Sequence, residues 1–399
     1  MNKEIASFAN VGIVLKPGKE KSLLRRHHWV FSGAIKSFPP NCNDGDILPV
    51  FSSCGDLLGN GICNRLSQIT VRMLNFDETD PKETISTRIK QAINLRNDLL
   101  NNEFSNARRL INCEGDFLPG LVVDQYNDAL VLQIGSLGIE KLKDFIVKEL
   151  IEVCNPSWIY EKSTSSSRKN EGLYPIEKTL YGKEQDRVEI VEGSSKFFVN
   201  PKEGQKSGFF IDQRNMRQLV REYSKGRSVL NCFSYTGGFS VAALSGGAKL
   251  CDSVDISKDG VEETTIHIEA NGFKDKDHKE ICQDVFLFLR EDLKGRYNFI
   301  ILDPPAFAKQ KKDVHQAARG YKEIQRLALK QLPPNSLLLT SSCSSYIDET
   351  LFKQILFGAA LDAKRDIRII QSHHLAECHP LNIYHPEGSY LKSFFCHVV

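Results

Sequence analysis

The stretch SLLLTSSCSSYI runs as a buried strand and then opens into Ser341, Ser342, Cys343, Ser344 and Ser345. Upstream, NFIILDPPAF closes another apolar run on Asp303, Pro304 and Pro305. In an open α/β sheet both strand ends would face the rim where ligands bind. Carbon 5 of a pyrimidine is too weak a nucleophile to take a methyl group unaided. A thiolate adding at carbon 6 makes carbon 5 enamine-like, and it leaves again when the carbon 5 proton is removed. Asp303 can hydrogen-bond the polar edge of the base. The two prolines lack a donor and turn their carbonyls outward. One cysteine among eleven is also an ordinary packing residue, so that alternative stands beside the nucleophile.

A methyl donor needs its own pocket. RSVLNCFSYTGGF, from Arg227 to Phe239, is a strand pattern breaking into a turn with Phe233, Tyr235, Thr236, Gly237 and Gly238. The next apolar run, AKLCDSVD, ends on Asp255, followed by Ile256. Strand, glycine turn and acid make an adenosine-binding arrangement: backbone amides approach the ligand and the carboxylate accepts from both ribose hydroxyls. Asp284 in EICQDVFLFL can take the adenine amino group while the Val285 amide meets the ring. It can equally cap the following helix. Glycine turn, ribose acid and Asp-Pro-Pro, in that order, point to S-adenosylmethionine. The nicotinamide spacing Gly-x-Gly-x-x-Gly is absent. In GQKSGFFIDQRNMR, Phe209 and Phe210 can flank the cofactor, Asp212 can take its ammonium, and Gln213 lies alongside. The aromatic pair can also be core.

The elements that must position these residues alternate regularly after Glu192. Strands are expected at 227–233, 248–255, 278–284, 298–303, 336–342 and 366–371, with SYLKSFFCHVV last. Helices fill most gaps, which argues for a parallel sheet covered on both faces. Before Phe76, short runs such as GIVLKPG and ITVRMLNF between Gly, Pro, Asn and Asp turns read as a small β barrel. SLLRRHHWVFSGAI reads as one short helix leading into it. Between Asp77 and Glu192 come an amphipathic helix in TISTRIKQAINLRNDLL, a hairpin turning at Asn127-Asp128, a helix in IEKLKDFIVKELIEVC and a strand in SWIYEKS. STSSSRKNEG reads as a mobile loop whose Arg168 and Lys169 can meet phosphate or simply lie in solvent.

Length of 399 residues implies two or three domains, and 41% hydrophobic with 26% charged residues is globular composition. The net charge of +2 does not by itself mark a nucleic-acid binder. Its distribution says more: Lys21, Arg25 and Arg26 crowd one early segment, and Lys309, Lys311 and Lys312 follow Asp-Pro-Pro. Each cluster fits phosphate contacts or a solvated face. No cysteine or histidine spacing calls for a metal. No apolar run is long enough to span a membrane and the first ten residues lack a signal core, so a cytoplasmic protein is expected.

NCFSYTGGF, LDPPAFAKQKK, ARGYKEIQ, SSCSS, HPEGSYLKSF, GQKSGFFIDQR and KEKSLLRRHHWVFSGAI together resemble one family. It is the bacterial 23S ribosomal RNA large-subunit cytosine-5 methyltransferase family with an N-terminal PUA domain, matched from about Val14 to Val399. The resemblance implies an α/β protein in three parts: a PUA-like RNA-binding barrel over 1–76, a central α/β domain over 77–192, and a class I methyltransferase domain over 193–399 with a Rossmann-like seven-stranded sheet. It implies S-adenosylmethionine as cofactor, with Cys343 at the nucleophile position and Asp303 as the acid beside the base; Asp303 and Pro304 are also candidate cofactor contacts. Asp255 and Asp284 match the ribose and adenine positions. Ribosomal RNA is the implied partner, and the resemblance is compatible with a homodimer. Many other RNA cytosine-5 methyltransferases carry a second cysteine after the fourth strand; this chain has Ala306 there, where the family often has lysine. The base that removes the carbon 5 proton is therefore unassigned. Two rivals remain: a nitrogen methyltransferase acting on RNA, and a non-catalytic ribosome assembly factor.

Overall fold

Seven strands of the C-terminal half form one sheet: β1 (Ser228–Cys232), β2 (Leu250–Asp255), β3 (His278–Cys282), β4 (Phe299–Leu302), β5 (Ser336–Ser342), β6 (Ile367–His373) and β7 (Lys392–Val398). This is a computed structural model, which describes residues 8–100, 104–293 and 295–399. The spatial order is β3-β2-β1-β4-β5-β7-β6, with the first five strands parallel and β7 antiparallel to both neighbours. β4 and β5 are buried along their whole length, as expected of central strands covered on both faces. Helices α1 (Arg214–Tyr223), α2 (Gly238–Ser245), α3 (Lys258–Ala270), α4 (Val285–Phe288), α5 (Val314–Gln331) and α6 (Glu349–Ala363) fill the connections. α2, GFSVAALS, is apolar nearly all round, and Phe239 to Leu244 are all buried. α5 is amphipathic and packs Ala317, Tyr321, Ile324 and Ala328 into the core that holds Ile300, Leu302 and Leu338.

The chain divides into two compact units. One holds residues up to 190, 199–209 and 377–388; the other holds 191–198, 210–376 and 389–399. The first unit contains a six-stranded sheet built from short strands between Ile13 and Met73 and a five-stranded sheet between Ala107 and Gly182. The hairpin forms as expected: Tyr126 pairs with Ala129 and Asn127 takes a left-handed conformation. The helix Pro81–Leu99 is capped by Asp80, whose side chain accepts from the Lys82 and Glu83 amides.

Three expectations differ from the structure. SLLRRHHWVFSGAI is α-helical only at its start, in Lys21–Leu24, with a 3-10 turn over Ser32–Ala34; Arg26 turns left-handed and Trp29–Phe31 pairs with Ile69–Met73, so strand pairing overrides local helix propensity. The segment expected as a loop is a 3-10 helix over Ser166–Glu171, wound around buried Arg168. Segments 199–209 and 377–388, assigned above to the C-terminal domain, group with the first unit. Side chains explain both: Lys162 donates to the Pro201, Lys202 and Gly204 carbonyls, and Arg96 to the Cys378 carbonyl. Among the described residues no helix is long and apolar enough to cross a membrane.

Candidate active site

β4 and β5 pair with Leu302 opposite Thr340, so Asp303 and Cys343 emerge at the same end of neighbouring parallel strands. Cys343 is partly exposed, whereas Ser341, Ser342 and Ser344 around it are buried. Its Sγ lies 3.9 Å from the Pro304 carbonyl oxygen. The thiol and the Asp-Pro-Pro turn therefore share one rim. The serines hold the strand end: Ser344 donates to the Ala308 carbonyl at 2.7 Å, and Ser341 and Ser393 hydroxyls meet at 2.8 Å. Tyr321 is buried close enough to feel both Cys343 and Asp303, and burial pushes its hydroxyl up to about 12.

Gln213 Nε2 donates to Asp303 Oδ1 at 2.8 Å. The preceding residue, Asp212, accepts from the Tyr390 hydroxyl at 2.6 Å. Both stand on a 3-10 turn, Ile211–Gln213, that leads into α1. Arg217 on α1 grips both oxygens of Glu192 at 2.7 Å and donates to the Phe210 carbonyl at 2.7 Å. Burial pulls the Glu192 carboxyl up, but Arg217 and then Arg214 outweigh it and hold it below the usual range. The aromatic pair splits. Phe210 stands edge-on to Tyr235 at 5.2 Å, while Phe209 belongs to the first unit, where its amide donates to the Tyr126 hydroxyl.

The glycine turn is held in a costly shape. Phe233, Tyr235 and Gly237 all have left-handed backbones, two of them without the freedom of glycine. Asp255 is what holds it, accepting from the Tyr235 amide on Oδ2 and the Ser257 amide on Oδ1, each at 2.8 Å. From α3, buried His267 donates through Nδ1 to the Thr236 carbonyl at 2.7 Å, while Nε2 accepts from the Phe198 amide at 2.9 Å. A side chain at Gly237 would stand 2.5 Å from Thr264 Cγ2. Gly238 opens α2. Ile256, beside Asp255, is 73% exposed, an aliphatic surface open to a flat ring. Asp284 caps α4, its Oδ1 accepting from the Leu287 amide at 3.0 Å, with Val285 buried behind it. Ser234 Oγ within the turn and Gln213 Oε1 are buried with no hydrogen-bond partner among the described residues. Orphaned polar atoms beside a strained turn fit a polar ligand.

Lys309, Lys311 and Lys312 are exposed on the segment after Asp-Pro-Pro, and Lys21, Arg25, Arg26 and Lys169 are exposed in the first unit. Arg168 is not available to phosphate, contrary to expectation. Its guanidinium is buried, donating to the Ile134 and Tyr174 carbonyls and pairing with Glu140 at 3.2 Å. His27, His385 and Glu387 bring their ligand atoms within 4.8 Å of one another. His27 Nδ1 accepts from the Trp29 amide, which leaves the Nε2 hydrogen for Glu387. The third member, His385, has its Nδ1 buried 3.5 Å from Glu387 Oε2.

Residues 175–355 match a family model described as S-adenosylmethionine-dependent methyltransferase, and residues 13–76 match a PUA-like domain. Proteins named ribosomal RNA large subunit methyltransferase I are similar over nearly the whole length. That of Aliivibrio fischeri is 40% identical, covering 98% of this chain and 100% of the relative. That of Alteromonas mediterranea is 39% identical, covering 97% and 98%. The chain belongs to the ribosomal RNA large subunit methyltransferase I family. It is an S-adenosylmethionine-dependent methyltransferase with an N-terminal PUA-like domain. Among solved structures, a methyltransferase complexed with SAH superposes with a TM-score of 0.84 at 26% identity, covering 97% of this chain and 100% of that one.

Sequence reasoning missed several parts of this methyltransferase's site. His267 carries no local signature, and Ser234, Tyr390 and Lys392, though within the sequence motifs, were given no role. Only the register of β7 against β5, with Lys392 opposite Ser342, brings SYLKSF back to Cys343.

Proposed function

We propose that this methyltransferase forms 5-methylcytosine in large-subunit ribosomal RNA, with Cys343 as the attacking nucleophile. The observation that carries the reading is the partly exposed Cys343 thiol, 3.9 Å from the Pro304 carbonyl on the rim where Asp303 emerges. S-adenosylmethionine, when bound, supplies an electrophilic methyl group on a sulfonium centre. Asp255 would take its ribose hydroxyls, Asp284 and Val285 its adenine, Asp212 its ammonium, and the Phe233–Gly238 turn its remaining polar edge.

The target base must leave its stack to reach this rim. The Cys343 sulfur then bonds to carbon 6, and the electron pair of the carbon 5–carbon 6 double bond makes carbon 5 nucleophilic. Asp303 hydrogen-bonds the polar edge of the base, and Gln213 orients Asp303. Once carbon 5 is methylated, loss of its proton re-forms the double bond and expels sulfur as thiolate. Lys309, Lys311 and Lys312, with Lys21, Arg25, Arg26 and Lys169 in the first unit, supply phosphate contacts that weaken with salt.

The test is nucleoside analysis of large-subunit ribosomal RNA treated with wild-type protein or Cys343→Ala. The wild type should yield 5-methylcytidine and the variant none. RNA carrying 5-fluorocytidine should trap a covalent adduct with the wild type alone, because fluorine cannot leave as a proton does. Turnover by Cys343→Ala, or a methyl group on a nitrogen, would overturn the reading.

A further inference from the structure

Lys392 opens β7 and stands opposite Ser342, the residue before Cys343. It is 5% exposed, unusual for a residue type that almost always keeps its charge in water. Its ammonium donates to the Ser344 carbonyl, immediately beyond Cys343, and to the Tyr390 carbonyl at 2.9 Å. Among the described residues no carboxylate lies within ion-pair distance of it. The titratable groups that act on Lys392 are Cys343 from the end of β5 and Asp348 before α6, and Tyr321 from α5 in turn feels both Cys343 and Asp303. Lys392 is the cation in that set.

A buried ammonium without a counter-ion is costly, and an anion forming nearby relieves that cost. Cys343 is the neighbour able to become that anion. Burial lowers the lysine to about 8, while Cys343 and then Asp348 draw it back up. A thiol reacts as its thiolate, with an ordinary pKa of about 8.5 that falls beside a lysine.

We propose that Lys392 is a positioning residue that keeps Cys343 ionised for its attack on the base. The proposal rests on the reading of Cys343 as nucleophile. The thiol proton leaves to solvent, and Lys392 keeps all three of its hydrogens throughout. When the product is released the sulfur departs as thiolate and faces the ammonium again. Both groups end the cycle as they began it.

The experiment is iodoacetamide alkylation of the full-length protein between pH 5 and 10, without RNA or cofactor. Peptide mass spectrometry separates Cys343 from the other cysteines. Wild type and Lys392→Arg should show a midpoint at least about one pH unit below the ordinary thiol value. Lys392→Gln should move the midpoint up by about one unit or more, slow alkylation at pH 7 about tenfold, and leave the high-pH plateau unchanged. The same midpoint in Lys392→Gln as in wild type would overturn the proposal. Should Lys392→Gln not fold, the wild type and Lys392→Arg decide: a wild-type midpoint at or above the ordinary value sinks the idea, and a low one kept in Lys392→Arg sustains it. A Cys343→Ala variant that still methylates RNA would instead defeat the nucleophile reading, whatever midpoint the wild type shows.

Discussion

Gln213 donates its side-chain amide to Asp303 Oδ1 at 2.8 Å, which ties the 3-10 turn Ile211–Gln213 to the Asp-Pro-Pro turn. That segment reads in the sequence as part of a cofactor pocket. In the fold it also orients Asp303, the acid proposed to meet the base. Gln213→Leu should therefore lower kcat by about ten- to a hundredfold while RNA affinity stays within about twofold. Single-turnover methylation beside filter binding would check it; an equal loss in both would mean a general disruption.

Asp255 grips two amides of the strained turn and is the expected ribose acceptor. Asp255→Ala should weaken S-adenosylhomocysteine binding by about tenfold or more, since each hydrogen bond to a charged group contributes roughly 1.5–3 kcal/mol. Isothermal titration calorimetry measures it directly. Unchanged affinity would reduce Asp255 to a structural clamp.

Basic residues of the two kinds separate in a salt titration. Lys309, Lys311 and Lys312 are exposed, so replacing all three with Ala should lower the slope of log affinity against log salt by about two to three. Arg168→Met removes one partner of a buried pair with Glu140 and should cost about 3 kcal/mol or more in urea unfolding. It should leave the salt slope alone.

His28 is buried, and its Nδ1 faces the Met73 carbonyl at 2.9 Å. Burial first, with Arg88 and the neighbouring histidines, lowers its pKa to about 4 against the pull of that carbonyl. The folded chain thus binds its proton less readily than the unfolded chain. The stabilisation is complete above pH 6.5 and is lost as pH falls towards about 4. Over that window wild type should lose about 3 kcal/mol more than His28→Gln, read by urea unfolding at several pH values. Parallel losses would refute the assignment.

The first six strands of the C-terminal sheet were legible to within two residues at each end. β5 is expected at 336–342 and observed at Ser336–Ser342, because a parallel strand buried on both faces is an unbroken apolar run ended by polar residues. The glycine turn, Asp255, Asp303 and Cys343 were legible for a related reason: strand ends place their chemistry at known offsets from the apolar runs. Arg168 was misread because nine polar residues closed by a glycine look like a solvated loop. Whether an arginine meets solvent or a buried glutamate depends on Glu140, a neighbour distant in sequence.

Sequence by itself determined the order of strands and helices, the rim and the chemical types standing on it, since these follow from local period and turn residues. Tertiary structure alone decided which groups orient them. Gln213 meets Asp303 ninety residues away, His267 reaches back to Thr236, and antiparallel β7 returns Lys392 to the edge of Cys343. Hydrogen bonds and fields act through distances of a few ångströms, and long-range register, absent from any local pattern, sets those distances.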